Sequence, residues 1–547
     1  MSRSSRNVRN ALGAVAVFLI LLGTLYGLIS VSGRDPVIEA VEPGVAAPGE
    51  EIVIRGAHFG DSRGRGNVRV AGSVPTSSAY REWSDTRIAM RVPEDVASGL
   101  VYVETERGRS NGVLFANAEQ VPEGESGSDS AARPAIDSVS PEEASVGEVV
   151  TIRGSRFGGT RDGSRVSFTW ESADGRTGRV HVPSENYGYP SWSSREIRVR
   201  VPDGAVSGSV VVETARGRSA EKPIRIEQPV GTKRFEEART HAVATSVTLD
   251  SIHLTEDGAE GTVYLWTPEV DRGPEQRNHQ ILTESESPLF SPAHGVALYR
   301  IRNPEADDEW KMRRTVLFDR YAVHSEIDES RVSADYDRPE AFMRRYTGQE
   351  SLLPVDAEPI QQRASQLGGR RGNPYARAER TYRWVMDYLD PVERESPIGA
   401  IEALESGSAN GFGYATLATA LLRAQAVPAR TVAGYLVCPE ERLYRHYWVE
   451  FYIEDFGWVP MDPAAADGAV CDSFPQPEEP VSYYFGGVDA DRIAFSKGIL
   501  EMPRMHPEGR VRRVSTMYSL QSHHEEVVGD IEWYETSWHD VAYLGSY

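Results

Sequence analysis

The feature that most narrows the fold is an internal repeat. Pro36-Val37-Ile38-Glu39-Ala40-Val41-Glu42-Pro43 returns 98 residues later as Pro134-Ala135-Ile136-Asp137-Ser138-Val139-Ser140-Pro141. Ile52-Val53-Ile54-Arg55-Gly56 through Phe59-Gly60 returns at the same offset as Val150-Thr151-Ile152-Arg153-Gly154 through Phe157-Gly158. Further on the offset becomes 109: Trp83 is matched by Trp192, Val92-Pro93 by Val201-Pro202, and Val103-Glu104-Thr105 by Val212-Glu213-Thr214. The second copy therefore holds 11 extra residues between Phe157 and Trp192. Each copy is a string of short, alternating, β-branched segments closed by Gly, Pro, Asn or Asp, the pattern of a small antiparallel sandwich. Two all-β sandwich modules are expected, at 35–118 and 134–228. The acidic, Gly/Ser-rich stretch 119–133 between them reads as a flexible linker.

The chain has 547 residues, more than one hydrophobic core organises, so several domains are expected. Its net charge of -22 argues against nucleic acid as a partner, because an acidic surface repels phosphates. Two cysteines, Cys438 and Cys471, are too few for a disulfide-dense scaffold or a four-thiolate metal site. The run His523-His524-Glu525-Glu526 lacks spaced partners on a recognisable element and reads as a surface loop, so no metal site is expected. Asp489-x-Asp491 is too short a signal for calcium and reads as solvated surface.

Arg3, Arg6 and Arg9 precede an uncharged stretch, 11–32. At about 1.5 Å per residue a helix of that length spans a hydrocarbon core of about 30 Å. The basic flank places 1–10 as a cytoplasmic tail and everything after Gly33 outside, as in a single-pass protein of a bacterial-type inner membrane with periplasmic or extracellular domains. The competing reading is a cleaved signal peptide, disfavoured by an apolar run longer than about 7–15 residues.

From about Arg234 the texture changes. Segments 241–249, 262–266 and 314–321 alternate as strands and suggest a β-rich domain over 232–350. Helical patterns follow: Asn373 caps a helix whose first residue is Pro374, and a second helix begins near Phe412 and ends before Pro428. An α+β core is expected over 351–500, followed by an extension over 501–547.

The pattern of Pro-x-Ile, Ile-x-Gly-x-x-Phe-Gly and Val-Pro in both repeats resembles the TIG immunoglobulin-like family, which implies a spacer or binding role. In the C-terminal half, Tyr414-Ala415-Thr416-Leu417, Val427-Pro428-Ala429-Arg430, Gly434-Tyr435, His446-x-Trp448-Val449-Glu450 and Gly457-Trp458-Val459-Pro460-x-Asp462-Pro463 follow in order. This series resembles the core of the transglutaminase-like superfamily and implies a papain-like α+β fold. That chemistry needs a thiolate at a helix N-terminus, a His to move the proton and an Asp to fix the His. By the resemblance His446 and Asp462 stand at the His and Asp positions, and the nucleophile position is Gly411.

Neighbouring residues Ala409, Asn410 and Phe412 are no better as nucleophiles. Asn410 is a competent N-cap. Asn410, Trp448 and Trp458 are candidates for lining a ligand cleft. Cys438 and Cys471 follow elements that converge on the site edge in this family, and stand either as a disulfide or as two separate thiols. No cofactor is implied. The expected function is a non-catalytic cell-envelope module that binds a protein, peptide or glycan. The alternatives are a hydrolase or acyltransferase in which Ser408 or water replaces the thiol beside His446 and Asp462, and a structural scaffold of the envelope.

Overall fold

The structure is a computed structural model describing residues 36–46, 49–70, 75–93, 99–110, 113–117, 133–161, 163–183, 187–255, 260–288, 296–302, 304, 309–350, 352–394, 396–498, 509–515 and 522–546. The expected membrane segment 11–32 lies outside these residues, as do 1–10 and nearly all of the 119–133 linker. Among the described residues no helix is long and apolar enough to cross a membrane.

The first repeat is a two-sheet sandwich. One sheet runs Val37–Glu42, Glu51–Ala57, Arg87–Arg91, Tyr80–Ser84; the other runs Val45–Ala46, Val113–Asn117, Gly99–Thr105, Asn67–Val70. The strand Glu51–Ala57 alternates exposed and buried positions and sends Ile52 and Ile54 into a core with Phe59, Val68, Ile88 and Phe115. Period-two burial on one face of each sheet is what makes these short β-branched segments pair face to face.

The second repeat builds the same sandwich and shows where its extra residues go. In the first copy the Val68 N–H donates to Tyr80 Oη at 2.8 Å; in the second the Val166 N–H donates to Tyr189 Oη at 2.9 Å. Between those two equivalent contacts the second copy adds a strand, Thr177–His181, paired antiparallel with Arg165–Glu171. The insertion is thus an edge hairpin. This sandwich packs directly on the C-terminal half: the Trp170 ring lies 5.4 Å from Phe235 and 5.1 Å from Tyr321, and Lys233 Nζ bridges Asp203 Oδ1 at 2.5 Å and the Trp458 carbonyl at 2.6 Å.

The β-rich region is organised by two long strands, Gly231–Leu254 and Trp310–Ile327, paired over most of their length. The described parts of the C-terminal extension, 509–515 and 522–546, belong to the sheets of this region. Ile531–Trp538 and Ala542–Ser546 pair with Gly231–Leu254, Ser522–Gly529 pairs with Gly261–Pro268, and Arg510–Ser515 pairs with Ser522–Gly529. The expected surface loop at His523-His524-Glu525-Glu526 is therefore a strand. Its Glu525 is fully buried and accepts hydrogen bonds from Tyr534 Oη, Thr536 Oγ1 and Trp538 Nε1 at 3.0, 2.5 and 2.7 Å. Three donors on the following strand, which belongs to the other sheet, satisfy a carboxylate that would otherwise be costly to bury.

The core that carries the site is a four-stranded antiparallel sheet in the order Gly457–Met461, Arg442–Ile453, Ala429–Cys438, Arg492–Lys497. Against one face lies the helix Gly411–Ala424, buried from Phe412 through Arg423. It is apolar all round because the sheet, the helix Pro374–Tyr388 and the helix Ala400–Ser406 enclose it. Leu417, Leu421 and Leu422 are fully buried, each contributing about 1.5–3 kcal/mol relative to exposure. Asn373 caps Pro374–Tyr388 as expected, its side chain accepting from the Ala376 N–H at 2.9 Å.

Alternation along Arg442–Ile453 separates two environments. Tyr447, Val449, Phe451 and Ile453 enter the apolar core with the helix. The intervening positions meet charge: Glu450 pairs with Arg430 at 2.6 Å and with Lys497 at 2.9 Å, and Lys497 reaches Glu275 of the β-rich region at 2.5 Å. Burial disfavours the Lys497 charge, but Glu275 and Glu450 outweigh it and raise its pKa.

Candidate functional site

His446 stands on the Arg442–Ile453 strand, Asp462 just past the Gly457–Met461 strand, and Gly411 at the first position of the buried helix. The fold brings the three together. His446 and Asp462 are both fully buried, and His446 Nε2–H donates to Asp462 Oδ2 at 2.7 Å. A Cβ placed on Gly411 would lie 3.6 Å from His446 Nδ1 and 4.0 Å from its Cε1. A side chain at position 411 would therefore project from the helix terminus toward the imidazole.

Asp462 is strongly supported. Its Oδ1 accepts from the Ala465 N–H at 2.9 Å, capping the short helix Pro463–Ala466, and its Oδ2 also accepts from Arg492 Nη1 at 2.9 Å. Its own N–H is held by the Tyr484 carbonyl at 2.9 Å. Burial alone would raise the carboxyl; the charge of and hydrogen bond to His446, with Arg492 and the Ala465 N–H, overcome burial and hold it at about 2. Asp462 is thus an anion that accepts from Nε2–H and fixes the orientation of the ring.

Arg492 and Asp489 are partners the sequence reading missed. Arg492 is fully buried and grips Asp489 with two hydrogen bonds, Nη2 to Oδ2 at 2.5 Å and Nε to Oδ1 at 3.2 Å. Burial disfavours its charge, but Asp489 and Asp462 reverse that and raise its pKa. Asp489 is consequently part of the site's support and not solvated surface. Asp491 pairs with Arg239. The available signal is a charged residue directly before the apolar run Ile493-Ala494-Phe495, which implies a buried partner.

The other side of the ring is different. His446 Nδ1 is buried and has no hydrogen-bond partner among the described residues. It faces Gly411, a half-buried position at the start of a 14-residue helix. Asn410 Oδ1 accepts from the Gly413 N–H at 3.3 Å, and among the described residues the Gly411 and Phe412 N–H groups of the first turn have no backbone partner.

The remaining candidates fall into place as follows. Asn410 is occupied as a cap, with its Nδ2 donating to the carbonyls of Arg394 and Ser396 at 3.0 Å each. Trp448 is buried, lies nearly parallel to the His446 ring at 6.4 Å and sits 5.1 Å under the Arg492 guanidinium; it backs the imidazole and presents no ligand surface. Trp458 is not part of the site. It pairs with Tyr452, six residues along the strand from His446, or about 20 Å at the rise of an extended chain. There it joins Phe342, Tyr346 and Tyr452, with Arg430 stacked 4.0 Å over its ring.

Ser408 Oγ points to Ser406 Oγ at 3.4 Å and makes no hydrogen bond to His446, so the structure does not assemble it as a replacement nucleophile. Cys438 and Cys471 form a disulfide with Cα atoms 6.3 Å apart, inside an apolar cluster with Leu436 and Phe474. It ties the end of the Ala429–Cys438 strand to the loop after Asp462. Among the described residues, one small hollow is lined by Val243, His279 and Arg314 and another by Glu275, Arg320 and Trp458. Neither is lined by Gly411, His446 or Asp462.

A helix N-terminus facing a strand-borne His, itself held by a buried Asp just past the next strand, resembles the arrangement of a papain-like thiol site with glycine in place of the thiol. Comparison with known families agrees. Residues 361–463 match the transglutaminase-like superfamily, and residues 36–117 and 134–223 match the IPT/TIG domain. The chain therefore carries a transglutaminase-like domain and two IPT/TIG domains.

Among solved structures it is similar to a candidate cysteine protease from Cytophaga hutchinsonii, at 13% identity over 57% of this chain and 93% of that one with a TM-score of 0.35. It is also similar to SGBP-B from a xyloglucan utilization locus of Bacteroides uniformis, at 13% identity over 54% and 100% with a TM-score of 0.15. A candidate protease from Parabacteroides distasonis aligns at 12% identity over 60% and 65% with a TM-score of 0.17. A search of curated proteins returned no match. Identities this low do not carry function from one chain to another.

Proposed function

We propose that the transglutaminase-like domain is a non-catalytic binding module of the cell envelope, with 11–32 as its membrane anchor and the sandwiches as its extracytoplasmic spacer. One observation carries this reading. The His446, Asp462 and Arg492 network that would serve a thiol is intact, yet the atom it would serve is missing and the nearest hydroxyl, Ser408, is directed elsewhere. A buried charged network of this cost persists where it holds a shaped surface. The Cys438–Cys471 disulfide supports an oxidising compartment, where such bonds endure.

The test is an assay of the full-length protein for amide hydrolysis, ester hydrolysis and amine transfer, alongside His446→Ala. The expected outcome is no turnover above background in either. Turnover that disappears in His446→Ala would overturn the reading in favour of a hydrolase working through water.

A further inference from the structure

We propose that the N-terminus of the Gly411–Ala424 helix is a carboxylate-binding site, with His446 Nδ1 and the first-turn N–H groups as its donors. This deepens the binding reading above and rests on it. Two independent features converge here. The first is the helix end itself: 14 residues long, with the Gly411 and Phe412 N–H groups left over after Asn410 takes Gly413. Such donors and the helix dipole favour an anion. The second is His446 Nδ1, a fully buried polar atom without a partner, directed at the same place. Glycine leaves open the volume that a side chain would fill, and position 411 is itself only half-buried, so a ligand can enter.

The geometry favours a two-oxygen acceptor. One oxygen can lie against the backbone N–H groups while the other meets the ring nitrogen, a fork a carboxylate supplies and a single carbonyl does not. From the strands the imidazole meets Asp462 and the rings of Tyr444 and Trp448, with Arg492 and then Asp489 behind Asp462. From the helix it meets Gly411, which carries no charge. With Nε2–H committed to Asp462, Nδ1 is the ring nitrogen left to meet a ligand. A carboxylate arriving there brings one proton from solvent onto Nδ1, so that Nδ1–H donates to it; no other bond forms or breaks. A peptide C-terminus and a glutamate or aspartate side chain share this chemistry.

The experiment is a titration of the full-length protein, with its histidine rings labelled with nitrogen-15, by acetate, acetamide, a tripeptide with a free C-terminus, the same tripeptide amidated, and an amidated tripeptide containing glutamate. The expected result is that acetate and at least one carboxylate peptide move the His446 Nδ1 resonance to its protonated range, while acetamide and the neutral amidated peptide do not. Response to the free terminus alone assigns the site to chain ends, and response to the glutamyl peptide assigns it to side chains; either supports the proposal.

Gly411→Pro sharpens the test. Proline is suited to the first helical position, and Asn410 at φ -86° and ψ 175° already has the extended backbone that precedes proline. This variant should melt as the parent does and lose at least about tenfold in carboxylate affinity, having lost one N–H and gained bulk. If that variant fails to fold, the titration of the parent decides alone. No Nδ1 response to any carboxylate, or an equal response to acetamide, would overturn the proposal. With turnover also absent, that result would leave the binding reading of the domain standing, whereas turnover would end the binding reading whatever the titration gave.

Discussion

The two nitrogens of His446 lie in contrasting surroundings within one ring. Nε2 meets Asp462, which is itself held by Arg492, by the Ala465 N–H and, through Arg492, by Asp489. Nδ1 meets a glycine and no hydrogen-bonding partner among the described residues. The difference teaches that one side of the ring is fully supported while the other is left open at a single position, Gly411. A site decaying as a whole would be expected to lose its buried charges first, because unpaired charges are the costliest residues to keep in a core.

The largest effect is expected on the supported side. Asp462→Ala should destabilise the protein by about 3–5 kcal/mol in urea unfolding, since it leaves His446 Nε2–H and one Arg492 N–H unpaired in the interior. The same network predicts an acid response. Asp462 has its folded pKa depressed, so its stabilisation is present above its unfolded value near 4 and is lost as pH falls through about 2. Unfolding midpoints should therefore drop between about pH 4 and 2, and Asp462→Asn should flatten part of that drop. An unchanged profile in Asp462→Asn would erase the contrast between the two sides.

Next in size is the disulfide. Closing a loop of 33 residues between Cys438 and Cys471 stabilises by about 4 kcal/mol on the loop-entropy account, so the double Ser variant should lose about 2–4 kcal/mol. The effect should vanish when wild type is measured under reducing conditions.

The smallest effects belong to the open side. Asn410→Ala should cost about 1 kcal/mol through the lost cap. Gly411→Ala should be neutral or stabilising by up to about 1 kcal/mol, because the helical backbone suits alanine and the new Cβ meets only His446 at ordinary contact distance. A loss of several kcal/mol in Gly411→Ala would mean the position is tightly packed and would remove the contrast from that end.

Much of this site is legible in the sequence, for identifiable reasons. Gly411, His446 and Asp462 sit in short local motifs whose order fixes their roles, and Asn410 and Asn373 announce themselves as caps before helical runs. The repeat offsets of 98 and 109 recover the two sandwiches and bracket the hairpin Thr177–His181 before any coordinates. What escapes is non-local. Arg492 lies 30 residues beyond Asp462, and nothing nearby in sequence names its partner. Trp458 shares a motif with Asp462, but strand register carries it to the far end of the sheet. Glu525 looks solvated until Tyr534, Thr536 and Trp538 arrive from a strand whose pairing the local sequence does not specify. The C-terminal strands join a sheet begun some 290 residues earlier, a connection that hydrophobic alternation alone cannot indicate.

The most direct test restores the missing atom. In Gly411→Cys the new thiol would sit at a helix N-terminus beside His446, with Asp462 and Arg492 still behind the ring. The thiol pKa should fall from about 8.5 to below about 7.5, and alkylation at pH 6 should be at least about tenfold faster than that of an exposed reference cysteine. Adding Asp462→Asn should remove most of that gain. A thiol of ordinary reactivity, indifferent to Asp462, would contradict the claim that the site is whole apart from position 411.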